Sequence, residues 1–349
     1  MNEPFCYTNI LGQDRAKNMV RRALAHGRMP HALLFRGPAG VGKRLFARGL
    51  AAALNCRGGQ PGNIPLTACG TCSSCHKLQS GNHPDFLVVE PEKDAIKIGQ
   101  VREMSRAITY PPYESRYRVV LLEDVHAMQP AAANSLLKTL EEPPPGNILI
   151  LTAEASREVL ATILSRCQIV PFLPLTEVET LSIIKHLLPD AGEETARLLA
   201  RYSDGSPGKA LLLHEHNLLD LLRRLMAALA VVASSADAVL TLLPLAQEIS
   251  EGTSASGAGK GESKDHLPLF LELLRTALAA PLFAADEASL LPALPSGGFG
   301  SRTISDRLAC IDAARRQLAR NCNRVFVCEM LLLHLAAPPV AQAESAHFS

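Results

Sequence analysis

The sequence predicts an α/β domain built on a parallel sheet and followed by all-helical segments, and three features carry that prediction. Short apolar runs bounded by turn signals recur through the first half: ALLF (32–35), FLVV (86–89), RVVLL (118–122), ILILT (148–152) and QIVPF (168–172). Such runs suit strands covered on both faces. Helical patterns lie between them at 44–54, 98–108 and 130–142, and this alternation is the signature of a parallel sheet with crossover helices. After about residue 175 strand-like runs become scarce and Leu-rich helical patterns take over.

The chain has 349 residues, more than one core usually supports. The boundaries predicted from it are a sheet domain over 1–175, a small helical domain over 176–213, a larger helical domain over 214–337 and a disordered tail over 338–349. The segment 251–263, EGTSASGAGKGES, is predicted to be a flexible surface loop because its composition cannot bury enough surface to order itself. Hydrophobic residues make up 47% and charged residues 20%, and charges break every apolar stretch well short of a bilayer span. The N-terminus lacks the basic patch and apolar stretch of a secretory signal, so a cytoplasmic protein with no membrane contact is expected, its cysteines reduced. A formal net charge of +1 sets up no global field for nucleic acid. The absence of Trp and an aromatic content of 4% weigh against a base-stacking surface.

Directly after the first strand comes GPAGVGKR (37–44), which fits the phosphate-loop pattern GxxxxGK[ST] at all but its last position. Gly37, Gly40 and Gly42 let backbone amides converge on phosphates, and Lys43 is placed to reach the β/γ oxygens of ATP. The last position is Arg44, where a Ser or Thr hydroxyl would ligate Mg²⁺. A guanidinium cannot ligate a cation and sets a fixed positive charge beside it, so the loop is expected to oppose Mg²⁺ while still tolerating the phosphates of ATP, and binding separates from hydrolysis. The third strand runs into Glu123 and Asp124, an acid pair in the place where metal-water and catalytic-water acids stand, but with the usual Asp-then-Glu order exchanged. An acid pair at a strand end is commonplace alone; after a phosphate loop it becomes a candidate site.

Four of the nine cysteines, Cys56, Cys69, Cys72 and Cys75, form C-x12-C-x2-C-x2-C. Four soft ligands at this spacing suit tetrahedral zinc with no open position, hence a structural rather than a catalytic site. Chance clustering or a redox role is the alternative. His76 and His83 are read as bystanders, and Cys6, Cys310, Cys322 and Cys328 as ordinary thiols.

The stretch VVLLEDVHAMQPAAANSLLKTLEEPPPGNILILTAEASREVLATILSRCQIVPF (119–172) resembles the core of the bacterial clamp-loader subunits, the γ/τ and δ′ family of AAA+ proteins. The most specific piece is Ser165-Arg166-Cys167. In that family this arginine reaches the ATP site of a neighbouring subunit, so the resemblance implies that Arg166 is an arginine finger acting in trans. It further implies that ILGQD (10–14) packs near adenine, that Thr152 is the sensor 1 residue, and that Lys209 in GSPGKAL (205–211) stands at sensor 2, where active members carry Arg. A zinc module over 56–75, a helical lid and an oligomerising collar ending in NCNRVFVCEMLLLHL (321–335) also fit the family. The resemblance covers residues 5–215 well and the last third loosely. Arg44, the exchanged acids and Lys209 together point to the δ′ branch, whose implied partners are γ/τ and δ subunits in a hetero-pentamer, with the sliding clamp and primed DNA met through the assembly. An active γ/τ-type ATPase is the alternative, and a scaffold that never sees nucleotide is a third reading.

Overall fold

A computed structural model describes residues 7–58, 67–232, 240–251, 266–283 and 301–336. The expectations for Cys6, for positions 59–66 of the cysteine loop, for 252–263 and for the tail at 338–349 lie outside the described residues. The chain folds as two compact units, one running through residue 183 and taking in 204–208, the other holding 184–203 and the described residues from 209 onward.

The first unit is built on five parallel strands, β1 (Ala32–Arg36), β2 (Phe86–Val89), β3 (Arg118–Leu122), β4 (Asn147–Ala153) and β5 (Gln168–Pro171), in the order β2-β3-β4-β1-β5. The inner strands β3 and β4 are buried along their whole length, whereas the edge strands β2 and β5 keep exposed positions. That difference follows from helices covering both faces of the centre. Its helices are α1 (Asp14–Ala25), α2 (Lys43–Asn55), α3 (Ser73–Gln79), α4 (Ile98–Thr109), α5 (Pro130–Glu141) and α6 (Ala161–Leu164).

Side-chain alternation along the strands divides the core in two. Leu33, Phe35, Val119, Leu121, Ile148 and Ile150 point to the face covered by α1 and α2, where Val20, Phe46 and Leu50 meet them. Leu34, Val120, Leu122, Leu149 and Leu151 point to the other face, against Val101 and Met104 of α4, Leu136 and Leu140 of α5 and Ile163 of α6. On the first face Phe35, Phe46 and Phe172 form an aromatic cluster with ring centroids 5.1 to 5.5 Å apart. Each fully buried Phe contributes about 1.5–3 kcal/mol, and this cluster ties β1 and α2 together on either side of the loop that joins them.

A buried charge fixes the opposite, amino-terminal end of the sheet. Asp85 is fully buried just before β2; its Oδ1 accepts from Tyr113 N–H (2.6 Å) and Arg118 Nη2 (3.3 Å), its Oδ2 from Glu114 N–H (2.9 Å) and Ser115 N–H (3.0 Å). Burial alone would raise this carboxyl, but the three backbone donors and Arg118 outweigh it and hold it below its ordinary value. Asp85→Asn would set an NH2 group against N–H donors and strand the Arg118 charge. We expect it to cost about 3–5 kcal/mol at neutral pH, read from the urea midpoint. Because the folded value lies below the ordinary 3.8, the contribution is full above pH 3.8 and fades as pH falls through the folded value. The gap between variant and wild type should close in the same window.

Thr176 and Glu179 open α7 (Glu177–Leu187) as a capping box: Thr176 N–H donates to Glu179 Oε2 (2.9 Å) and Glu179 N–H to Thr176 Oγ1 (3.2 Å). Among the described residues seven further helices follow: α8 (Glu193–Tyr202), α9 (Pro207–Glu215), α10 (Leu218–Val232), α11 (Leu242–Glu251), α12 (His266–Phe283), α13 (Ser301–Ala319) and α14 (Arg324–Ala336). Leu218, Leu222, Leu225 and Leu229 recur at three- and four-residue spacing along α10 and are buried, as are Phe270, Leu271 and Leu274 of α12 and Leu331, Leu332 and Leu335 of α14. Among the described residues no helix is long and apolar enough to cross a membrane.

Candidate nucleotide and metal sites

The phosphate-loop residues stand together at the carboxyl ends of β1, β3 and β4, where open parallel sheets place ligands. Gly37 leaves β1 with its N–H on Ala153 O (3.2 Å). Gly42 precedes α2 with φ 97°, a conformation natural to glycine, and turns the chain so that the helix opens at the loop. Lys43, the first residue of α2, is buried and donates from Nζ to Gly37 O (2.8 Å) and Pro38 O (2.6 Å). Burial lowers its ammonium below the usual lysine value, against the pull of Asp124 and Glu154.

The GSPG segment packs on the tip of this loop. Ser206 Oγ donates to Ala39 O (2.7 Å) and Gly208 N–H to Gly40 O (3.0 Å). A Cβ at Gly208 would stand 2.7 Å from Gly40 Cα, so the approach requires glycine there. Composition did not reveal this contact; the Ser-Pro-Gly turn itself was the available signal.

Arg44 lies on the acid that would serve a metal. Its Nε is 2.9 Å from Glu123 Oε1 and its Nη1 3.3 Å from Glu123 Oε2, with Glu90 Oε2 at 3.6 Å. Burial raises the Glu123 carboxyl, and Arg44 opposes the rise. Asp124 has φ 48° and its N–H donates to Thr152 Oγ1 at 3.0 Å, so Thr152 holds the acid-bearing turn to the end of β4. The Arg44 guanidinium pairs with Glu123, through one hydrogen bond to Oε2 and an ion-pair contact to Oε1, and sets a fixed positive charge at that carboxylate, so the residues present do not fit a Mg²⁺ ion.

Arg166 follows α6, and its polar partners are Glu141, Thr162 and Ser165. Nε donates to Glu141 Oε1 (2.9 Å), Nη2 to the same oxygen, and Nη1 to Thr162 O (3.0 Å) and Ser165 Oγ (3.1 Å). Its neighbour Cys167 packs against the core beneath, and burial pushes that thiol up to about 11. The three residues thus divide their work between a hydroxyl that orients, a guanidinium at the surface and an apolar anchor. Lys209 belongs to the second unit, where its Nζ donates to Glu272 Oε1 at 3.0 Å.

The sulfur atoms of Cys56, Cys69, Cys72 and Cys75 all lie within 4.8 Å of one another. Backbone N–H groups already point at them: Gly58 and Cys69 donate to Cys56 Sγ (3.4 and 3.3 Å), and Cys72 to Cys69 Sγ (3.4 Å). Burial raises Cys69, but the hydroxyl and backbone of Thr71 and other donors bring it down to about 6. Four sulfurs with N–H support fit a tetrahedral metal ion such as zinc. His83 stays outside the set; its Nε2 meets Ser74 Oγ (3.1 Å) and Ser115 Oγ (3.2 Å), and Lys77 pairs with Glu114 (2.7 Å), so the module is tied to the loop that Asp85 holds.

A five-stranded parallel sheet in the order β2-β3-β4-β1-β5, with a phosphate loop after β1 and an acid pair after β3, defines a P-loop protein of the AAA+ arrangement. Residues 12–176 match the family model described as DNA polymerase III, delta subunit. The δ′ subunit of DNA polymerase III from Pseudomonas aeruginosa is 40% identical over 187 residues, 53% of this chain and 56% of its own. The δ′ subunit from Bacillus subtilis is 35% identical over 193 residues, 55% of this chain and 56% of its own. The γ subunit from Buchnera aphidicola of Schizaphis graminum is 33% identical over 217 residues, 61% of this chain and 58% of its own. Over residues 12–176 the chain is thus similar to DNA polymerase III clamp-loader subunits, and it spans a little over half the length of these relatives.

Proposed function

We propose that the chain is a δ′-like subunit of the DNA polymerase III clamp loader, which supports ATP-dependent loading of the sliding clamp onto primed DNA without hydrolysing ATP itself. The observation that supports this reading is the Arg44–Glu123 ion pair: the acid that would hold the metal already faces a positive side chain of the chain's own phosphate loop. In this proposal residues 176–213 form the lid and 214–337 the collar that holds γ/τ and δ neighbours in a hetero-pentamer in the cytoplasm. Arg166 serves the nucleotide of a neighbour, Thr152 and Lys209 stand at the two sensor positions, and a structural zinc ion sits on the four cysteines.

A γ/τ-type ATPase is the second reading, and Lys43 in a formed phosphate loop together with the 33% identical γ subunit favours it. ATP hydrolysis by the isolated chain and by the reconstituted assembly separates the two. The isolated chain should show no turnover above background, while the assembly turns over ATP on DNA. Arg44→Thr should free Glu123, restore a hydroxyl ligand and make nucleotide binding Mg²⁺-dependent, as measured by calorimetry with and without the ion. Turnover by the isolated wild-type chain at 1–100 s⁻¹, roughly the range of competent phosphoryl-transfer enzymes, would give the assignment to γ/τ.

A further inference from the structure

The same carboxylate occupies two donors of Arg166, and this bears on how the arginine is delivered. A guanidinium has five N–H groups. In Arg166 Nε and one Nη2 hydrogen go to Glu141, and Nη1 goes to Thr162 O and Ser165 Oγ, which leaves a single Nη2 hydrogen uncommitted. A phosphate is gripped through two parallel N–H bonds. The fork formed by Nε and Nη2 is the edge that offers such a pair, and Glu141 holds it. Both partners are surface groups, with the Arg166 side chain 33% and the Glu141 side chain 49% exposed, so water and salt weaken the pair and a multiply charged phosphate can displace it.

We propose that Glu141 is a positioning residue that acts as a catch. It keeps Arg166 docked on its own subunit until the terminal phosphate of a nucleotide in the neighbouring subunit draws the guanidinium away. The carboxylate is well placed for this by sequence as well as by contact. It is the last residue of α5, and α5 packs through Leu136 and Leu140 on the sheet face that also carries Ile163 of α6. The catch and the arginine are thus mounted on one rigid layer, and release needs only side-chain rotation. A carboxylate left beside the transferring phosphate would add repulsion in the transition state, so the catch suppresses hydrolysis before the ring has closed on its substrates.

This inference rests on the proposal that Arg166 acts in trans, and the test separates the two. Loader reconstituted with γ/τ and δ subunits would carry wild-type chain, Glu141→Gln, Glu141→Asp, Arg166→Ala or Glu141→Gln with Arg166→Ala, and ATP hydrolysis would be followed without and with clamp and primed DNA. Glu141→Gln should raise the unstimulated rate about two- to five-fold, the worth of an exposed ion pair, while the stimulated rate stays near wild type. Glu141→Asp should stay near wild type, and the double variant should match Arg166→Ala. A Glu141→Gln rate equal to or below wild type, in an assembly that Arg166→Ala does impair, overturns the catch and leaves the trans arginine standing. No effect of Arg166→Ala overturns both.

Discussion

Stripping metal from the reduced protein should release about one zinc ion per chain and open the cysteine module while the sheet stays folded. The four sulfurs are within 4.8 Å of one another, and like-charged thiolates at that spacing repel unless a cation joins them. Structural zinc in isolated finger peptides is worth about 10–16 kcal/mol, nearly all of it folding energy. Here that figure is a ceiling, because Cys75 and Leu78 are also buried against the core and Lys77 is bound to Glu114. The loss should therefore be local. Hydrogen exchange after chelation should accelerate at the amides of Gly58, Cys69 and Cys72, whose N–H groups point at sulfur, and leave Leu121 and Ile150 protected. Metal analysis that finds no stoichiometric zinc, with these four thiols reacting as fast as the exposed Cys322, would remove the site.

The strands were legible because the centre of the sheet is covered on both faces, which forces unbroken apolar runs at 118–122 and 147–153 that no amphipathic helix would carry. The helices were legible to within a residue at most ends: α4 and α5 each bury one stripe, and a stripe shows in the spacing, while α2, buried at every position from 49 to 55, showed instead as an Ala- and Leu-rich run behind a glycine loop. Strand order was not legible in this way. Neighbours such as Leu34 and Leu151 or Leu34 and Ile169 meet across crossovers of more than a hundred residues, and periodicity carries no such distance information.

At the candidate sites, residue identity was legible and pairing was not. Arg44 was readable as a cation where a Mg²⁺ ligand is usual, but its pairing with Glu123 spans 79 positions and depends on β1 and β3 lying on either side of β4. Glu141 stood in plain view in LEEPPP, yet a glutamate at a helix end reads as a solvated charge until Arg166, 25 residues on, is folded back to it. Asp85 had no local signal at all. Its partners Tyr113, Glu114, Ser115 and Arg118 come together through tertiary packing, and a lone Asp in NHPDF reads as a turn residue. The cysteines were the exception, because four ligands for one metal ion fall at short, characteristic spacings that can be read along the chain, and their sulfurs lie within 4.8 Å of one another.

Replacing Arg166 by Ala should cost the neighbouring nucleotide site about 10³–10⁵ in hydrolysis, the usual worth of an arginine finger in phosphoryl transfer. The guanidinium is delocalised and planar, and it delivers two N–H groups to the equatorial oxygens where charge gathers. The chain's own phosphate loop gains nothing from Arg166, whose polar partners are Glu141, Thr162 and Ser165. In a ring with several hydrolytic sites the total DNA-stimulated rate should fall only by the share of the one silenced site. Clamp loading, which needs the sites in concert, should fall more steeply than hydrolysis. Folding should be untouched, since an exposed ion pair contributes about 0–1 kcal/mol and Cys167 still anchors the turn in the core. Arg166→Lys should rescue little, because a single ammonium keeps the charge and loses the fork. The measurement is a reconstitution of the loader with each form, assembly checked by size, followed by ATP hydrolysis and clamp loading on primed DNA. Equal loading by the Ala variant and wild type would reduce Ser165-Arg166-Cys167 to a surface turn closed by Glu141, and the transition-state charge would then have to be met by a group on the neighbouring subunit itself.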